Sequence, residues 1–529
     1  MKTRRATRAV TIGGVALAAA LVLACSKDDA PRVACEPTAG FACDNVVNAV
    51  ALPLLKKEGV TPRAASTQEF CRRAYIDLTG AAPTWAEYRA RCEGKSPAKI
   101  VDLLMSEGPY VDAGRRVWAD AFQLDNRFAW YAYTRDLDAQ VARLYKGEID
   151  YAELARVAVS HPAMISKHAG ENVVAKAYAV FLGRDALPSE RQDMLGLFHI
   201  WATRESYDPA LFPLRFNRCS DDSSVCDKGR VCRKGVCEDP FTYIEVYVDP
   251  SRCAGELGAV ACSSPASGVR ATLPPGRGDA PLTLGELTPE DLKALRAPGD
   301  VIVKMPSFWE HAVDAVLERY LGWWHAGIEL PGYDLPEVRR VLAERFKKTG
   351  AMRSLERDVL TSVLYGMAAD GSGKPHQQGP TKQMPAEAWL ATVGKILAVR
   401  LGSCDPRYQN TTGRWVPEGL LAPPGDLQGF AYVDHARILG GCPDQSSQLR
   451  STSVGVLHAM EERLVLADVC MHPRSAARTD LAALFRDAFT REPSQDELAA
   501  LKTTFPQPDE PSARRACQVL LRSSPFLFY

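Results

Sequence analysis

The sequence predicts a mainly α protein, built of capped amphipathic helical hairpins and interrupted by a disulfide-rich, partly β insertion. Three observations carry that expectation. Apolar residues recur at intervals of three and four, as in Phe70, Ala74, Tyr75 and Leu78, or Val174, Tyr178, Phe181 and Leu182, which marks one buried face of a helix. A helix-start pattern recurs four times. Between the helical regions, residues 206–286 lose the rhythm and hold six cysteines.

The chain opens with Lys2, Arg4, Arg5 and Arg8, then an almost unbroken apolar run from Val10 to Ala24. Basic residues followed by an apolar stretch shorter than the ~20 residues of a membrane span read as a secretory signal. Its end, Val22-Leu-Ala-Cys25-Ser26, resembles a bacterial lipobox. The resemblance implies cleavage after Ala24 and acylation of Cys25 and the new amino terminus with palmitate-type chains, which together make a firm anchor. An ordinary secretory peptide that happens to contain a cysteine is the alternative. Ser26 in place of Asp points to the outer membrane, so the expected location is the cell envelope, lipid-anchored.

Residues 25–45 then form a lipid-anchored tether and 46–205 an N-terminal helical domain. The insertion at 206–286 carries one clear strand, Phe241-Thr-Tyr-Ile-Glu-Val-Tyr-Val248, rich in β-branched and aromatic residues. Helical periodicity returns in a central segment, 287–369. Residues 370–453 hold a Gly- and Pro-rich connection, a helix at 385–402 and a long irregular stretch, and 454–529 are C-terminal helical hairpins. Removing the signal takes away four basic and no acidic residues, leaving sixty basic against sixty-four acidic, a net charge of −4. A nearly neutral chain without a basic stripe has no electrostatic footprint for nucleic acid.

The four helix starts are Pro83-Thr-Trp-Ala-Glu87, Pro188-Ser-Glu-Arg-Gln192, Pro306-Ser-Phe-Trp-Glu310 and Pro493-Ser-Gln-Asp-Glu497. In each, a hydroxyl caps the first turn and an acid or amide three residues on reaches back. An apolar helix and short polar turn precede three of them, at Tyr75–Gly80, Phe181–Asp185 and Ala488–Glu492. These read as degenerate copies of one helical hairpin, with chance recurrence of a good cap as the alternative. Either way their role is packing.

Fifteen cysteines are present, and committing Cys25 to lipid leaves an even fourteen. In an exported protein these are expected as seven disulfides. Nearest neighbours pair Cys35 with Cys43, Cys71 with Cys92, Cys253 with Cys262, Cys404 with Cys442, and Cys470 with Cys517. Cys219, Cys226, Cys232 and Cys237 form a cluster of their own, expected as two local bridges, with a zinc site as the alternative. No Cys-x-x-Cys-His is present, so covalent haem attachment is excluded.

A helix from Phe308 to about His325 carries Trp309, Val313, Val316, Leu317, Tyr320, Leu321 and Trp324 on one side. Glu310, His311, Asp314 and Glu318 lie on the other. The second group is expected to be a solvated polar face and not a metal site, because no second histidine stands nearby at helical spacing. His161, His168 and His472 fall in no catalytic frame. No catalytic residue, metal ligand or cofactor is assigned.

At Phe70-Cys-Arg-Arg-Ala-Tyr-Ile-Asp-Leu-Thr-Gly-Ala-Ala-Pro-Thr-Trp-Ala-Glu87 the chain resembles an uncharacterised bacterial domain that opens with Arg-Arg-x-Tyr-Leu-Asp-Leu-Thr-Gly-x-x-Pro-Thr. That domain is common in planctomycete proteins fused to cytochrome c modules. Lys99–Ser106 with Tyr110 is similar to its next helix. Cys517–Tyr529, and more faintly Arg357–Tyr365, resemble the closing helices of companion domains. The resemblance brings no catalytic residues, and the missing haem motif argues against electron transfer. The expected function is a lipid-anchored envelope protein that binds or scaffolds. It would be held to the membrane through Cys25 and contact an envelope protein or polymer through 206–286. The alternative is an envelope enzyme or redox accessory whose site is assembled from distant residues.

Overall fold

The computed structural model describes residues 35–123, 131–197, 289–322, 335–369, 377–398, 456–471 and 479–529, together with 231–233 and 236–238; positions 39, 162–163, 165–167, 169–170, 192, 195–196 and 508 are excepted. The first helices are α1 (Asn48–Lys57), α2 (Thr67–Thr79), α3 (Trp85–Arg91), α4 (Pro97–Met105), α5 (Gly108–Ala121), α6 (Tyr131–Lys146), α7 (Tyr151–Ala158) and α8 (Glu171–Leu182). A short antiparallel pair follows, β1 (Val231–Arg233) and β2 (Val236–Glu238), with Cys232 opposite Cys237. Next come α9 (Pro289–Ile302), α10 (Ser307–Leu321), α11 (Pro336–Thr349), α12 (Met352–Leu360) and the single turn α13 (Val363–Gly366). The last are α14 (Ala386–Leu397), α15 (Val456–Val469), α16 (Leu481–Phe489), α17 (Gln495–Thr504), α18 (Glu510–Leu520) and α19 (Ser524–Leu527). The protein is mainly helical, as its periodicity requires. The strand expected at 241–248 lies outside the described residues, as do Cys219, Cys226, Cys253, Cys262, Cys404 and Cys442.

Two apolar cores organise these helices. The larger draws on residues from Phe41 to Met367, so the segments 46–205 and 287–369 share one interior. Its centre is an aromatic stack in which Tyr151 lies 4.8 Å from Phe308 and Trp118 lies 5.8 Å from Phe181, centroid to centroid. Each such side chain contributes roughly 1.5–3 kcal/mol by leaving water. The smaller core runs from Met384 to Phe526 and also takes in Ile76 and Ala82 from the first half. Helix α2 therefore belongs to both: its apolar residues wrap nearly the whole circumference, and from Phe70 to Leu78 only Asp77 is not fully buried.

The two halves close with the same backbone device. Just before α2, Ala65 N–H donates to Gly366 O (2.9 Å) and Ala368 N–H to Arg63 O (2.8 Å). Just before α14, Met384 N–H donates to Leu527 O (2.7 Å) and Tyr529 N–H to Lys382 O (2.9 Å). In each case a two-residue bridge ties the entry of a helix, α2 or α14, to the turn Ser-x-x-aromatic that ends the half, Ser362–Tyr365 or Ser523–Phe526. Helices α2 and α14 also end alike, in left-handed residues Gly80 (φ 77°) and Ala398 (φ 54°).

At three of the four predicted helix starts an acid reaches back to an N–H at the start of the helix, though not all in the expected register. Thr84 with Glu87 and Ser494 with Glu497 form reciprocal capping boxes. In the second copy Glu190 reaches back, accepting from Leu187 N–H at 2.9 Å, and Gln192 lies outside the described residues. The copy at 306–310 is a correction: Pro306 occupies the cap position and the Ser307 hydroxyl makes no capping bond. Each true copy follows a left-handed residue, Gly80, Gly183 or Thr490, which reverses the chain into the next helix.

Among the described residues three disulfides join Cys35 to Cys43, Cys71 to Cys92 and Cys470 to Cys517. The second ties α2 to the end of α3, and the third ties α15 to α18 across the smaller core. Among the described residues no helix is long and apolar enough to cross a membrane.

Candidate functional site

The segment Phe70–Glu87 lies between the cores, and several of its polar groups bridge them. The adjacent arginines grip matching targets. Arg73 donates to Tyr365 O (2.6 Å) and Met367 O (3.1 Å), with its guanidinium 5.6 Å from the Tyr365 ring centroid. Arg72 donates to Phe526 O (3.1 Å) and to Ala488 O (2.7 Å), 5.4 Å from the Phe526 ring. Two successive side chains on a helix point about 100° apart, so one pair of arginines serves both closing turns. Burial lowers the Arg72 pKa to about 10, which still leaves it charged at neutral pH.

One turn further on, Asp77 is the hub. Lys382 Nζ donates to both carboxylate oxygens, at 2.6 and 2.7 Å. Tyr365 OH donates to Oδ2 and Tyr529 OH to Oδ1, each at 2.8 Å. A carboxylate offers about four acceptor positions, and all four are filled. The side chains of Asp77 and Lys382 are only 4% and 12% exposed. Burial pushes the Lys382 ammonium below the ordinary lysine value, against the pull of Asp77. Burial, and then Asp77, push the Tyr365 and Tyr529 phenols upward, so both remain donors.

A second buried carboxylate sits behind the first. Glu356 accepts from Tyr110 OH (2.7 Å), Tyr145 OH (3.3 Å) and Arg319 Nη1 (3.1 Å). Arg319 also donates to Asp77 O (3.3 Å), and its own carbonyl accepts from Lys382 (3.0 Å). Burial raises the Glu356 pKa, opposed by Arg319 and by the hydroxyl donors. Helices α2, α5, α6, α10 and α12 and the strand-like segments at 382 and 529 thus meet in one polar chain.

The rest of the segment continues the pattern. Ala82 N–H donates to Thr392 Oγ1 (2.9 Å), Trp85 N–H to Asp487 Oδ1 (2.9 Å) and Lys395 Nζ to Glu87 Oε2 (2.9 Å). Thr490 Oγ1 donates to Pro83 O at 3.4 Å. Each of these runs from the first half to the second.

Residues 46–147 match the family model PSCyt2, described as a protein of unknown function (DUF1549). The match spans α1 to α6 and contains the whole bridging segment, so this part of the chain is similar to a domain of unknown function. No curated protein and no solved structure matches the chain.

The other residues singled out by sequence are dispersed. The polar face of α10 is not simply solvated. The His311 ring packs on Gly183, where a Cβ would collide with it, and burial lowers the pKa of the imidazole. Asp314 holds Arg339 through two bonds of 2.6 and 2.7 Å, with Glu310 adding a longer contact. The helix ends at Gly322 in a left-handed turn, not near His325; Trp324 and His325 lie outside the described residues. His161 and His168 are buried, and His168 Nε2 lies 2.7 Å from Phe122 O. His472 lies outside the described residues. Among the described residues no three His, Cys, Asp or Glu side chains are grouped to hold a metal.

Arg72, Arg73, Asp77 and Tyr529 stand out in the sequence only through a resemblance, and Arg319, Glu356, Lys382 and Lys395 do not stand out at all. One signal was legible: Asp77 stands between Ile76 and Leu78 in a helix whose other residues from Phe70 to Leu78 are buried, where an unpaired carboxylate would cost several kcal/mol. A cationic partner was therefore required. Which lysine or arginine supplies it is a property of the tertiary fold.

Proposed function

We propose that this is a lipid-anchored cell-envelope protein with a binding or scaffolding role. The observation that carries the reading is the use made of the ionisable groups in Phe70–Glu87: Arg72, Asp77 and Glu87 join the two helical cores, and Arg73 holds the closing turn of the first. Joined cores on an acylated cysteine, bearing a cysteine-rich insertion at 206–286, suit a platform that presents a contact surface to an envelope protein or polymer. Nothing in this role calls on nucleic acid.

One observation favours the alternative of an envelope enzyme or redox accessory: Asp77, Arg319, Lys382 and Tyr529 come together from distant parts of the chain. A carboxylate with all four acceptor positions occupied has no lone pair left to take a substrate proton, which supports the scaffold instead.

Two measurements test the proposal. Palmitate labelling and membrane fractionation should show acylated, membrane-bound protein that becomes unlabelled and soluble in Cys25→Ser; labelling that persists contradicts the anchor. Replacing 206–286 by a short Gly-Ser linker should preserve helical circular dichroism and cooperative melting while abolishing in-cell crosslinks to envelope components. Crosslinks that survive the deletion would rule out the insertion as the contact surface.

A further inference from the structure

The start of the described chain is fixed to the body by a built-in plug. Cys35 and Cys43 are bridged, and the loop between them folds back so that Phe41, 7% exposed, lies over Gly366. Asn45 Nδ2 donates to Asp358 O (2.8 Å) and Thr361 Oγ1 (2.9 Å). Asn48, 1% exposed, donates to Ala42 O (2.8 Å) and accepts from Val363 N–H (2.6 Å). The chain is therefore anchored to α12 and α13 from Cys35 onward, and cannot peel away without exposing buried polar groups.

Only ten residue steps separate Cys35 from Cys25. Whatever conformation they take, their span is at most about 36 Å. A compact chain of some 500 residues is roughly 60 Å across, and the path round such a body to its far side is longer still. An acyl chain on Cys25 inserted in a leaflet thus constrains orientation as well as location. We propose that the face around the Cys35–Cys43 loop and the end of α1 is a membrane-apposed surface whose partner is the lipid headgroup layer. The inference rests on the lipid-anchor reading above.

The charges of this face are compatible with close approach to lipid. Lys56 pairs with Glu36 at 2.8 Å, and Arg357 pairs with Asp102 at 2.6 Å. Balanced pairs are neither drawn to nor repelled by an anionic leaflet, so apposition should depend on the tether and hardly on salt.

The test uses the full acylated protein in vesicles of phosphatidylethanolamine and phosphatidylglycerol, with a fluorophore at Lys57 and an acceptor on the headgroups. Strong energy transfer is expected at low and high salt. Inserting about forty Gly-Ser residues between Pro31 and Arg32 adds roughly 35 Å of mean span and should reduce transfer at least about threefold. Weak transfer with the native tether, or transfer unchanged by the linker, overturns the inference while leaving the anchor intact. A chain whose amino-terminal peptide carries no acyl group in mass spectrometry overturns the anchor reading itself, and this inference with it.

Discussion

The two halves of the molecule end in the same clasp, yet they differ in what hangs from it. In the first, the paired strand-like segments carry Arg63 and Ala368; in the second, the corresponding positions are Lys382 and Tyr529. The backbone hydrogen bonds are alike. Arg63 is exposed, whereas Lys382 and Tyr529 reach into the other half and fill Asp77. The helical turns show the same contrast. Glu190 and Glu497 are each held by an arginine six residues earlier, Arg184 and Arg491, through two bonds of 2.6 and 2.7 Å. Glu87, at the matching place, has Ala81 six residues before it and takes Lys395 from the other core. A device that closes on itself elsewhere is opened here and completed from outside. The bridging segment is thus an ordinary hairpin whose locks have been moved to a neighbour.

If that contrast holds, the largest effect should come from Asp77→Ala, which strands a buried ammonium. Urea unfolding should show a loss of about 3–5 kcal/mol, whereas Arg63→Ala at the matching clasp should change stability by no more than about 0.5 kcal/mol. Next in size is removal of the bridge within the smaller core. Replacing Cys470 and Cys517 by alanine should cost about 2–4 kcal/mol, and hydrogen exchange should quicken in α15 and α18 while the aromatic stack of the larger core stays protected.

The locks sharpen the comparison further. Lys395→Met removes a partly buried charged bond between halves and should cost about 1–2 kcal/mol, while Arg491→Ala, in a turn closed on itself, should cost under about 1 kcal/mol. Thermal melts of the two variants side by side would show whether the inter-half lock is the stronger.

The smallest effect concerns pH. The guanidinium bonds of Arg184 and Arg491 hold Glu190 and Glu497 down at about 2. A carboxylate depressed in the folded state contributes stability that is present above its unfolded pKa of about 4.3. That stability is lost as pH falls toward 2. Carboxyl NMR titration should place both midpoints near 2, and Arg491→Ala should return Glu497 toward the ordinary range. A Glu497 midpoint that does not move in the variant would mean the pair is not formed in solution.

Much of this fold was legible in the sequence. Helical periodicity located α2, α8 and α10, because burial of one face imposes the spacing whatever the partner. The capping pattern located the turns at 84 and 494, since the hydroxyl and the acid that satisfy a helix start are local in sequence. It failed at 306, where Pro takes the cap position, and slipped by two residues at 188, where Glu190 reaches back to Leu187. The polar chain was the part that stayed hidden. Asp77, Lys382 and Tyr529 are separated by 305 and 452 residues along the chain, and nothing local fixes which cation meets which carboxylate. The likeness of the two closing turns was faintly legible, in Arg357–Tyr365 and Cys517–Tyr529, but the backbone bonds that complete each clasp join segments far apart in sequence.

The central claim is that Asp77 and Lys382 act as one structural unit clasping the two cores. A double-mutant cycle with Asp77→Ala, Lys382→Met and the pair, followed by urea unfolding, measures that unit directly. The account predicts that the double variant is more stable than Asp77→Ala alone, with a coupling energy of about 2 kcal/mol or more, because removing the lysine relieves the charge left unpaired. Additive losses, with coupling near zero, would mean that the two residues contribute independently and that the clasp is not what holds the halves together.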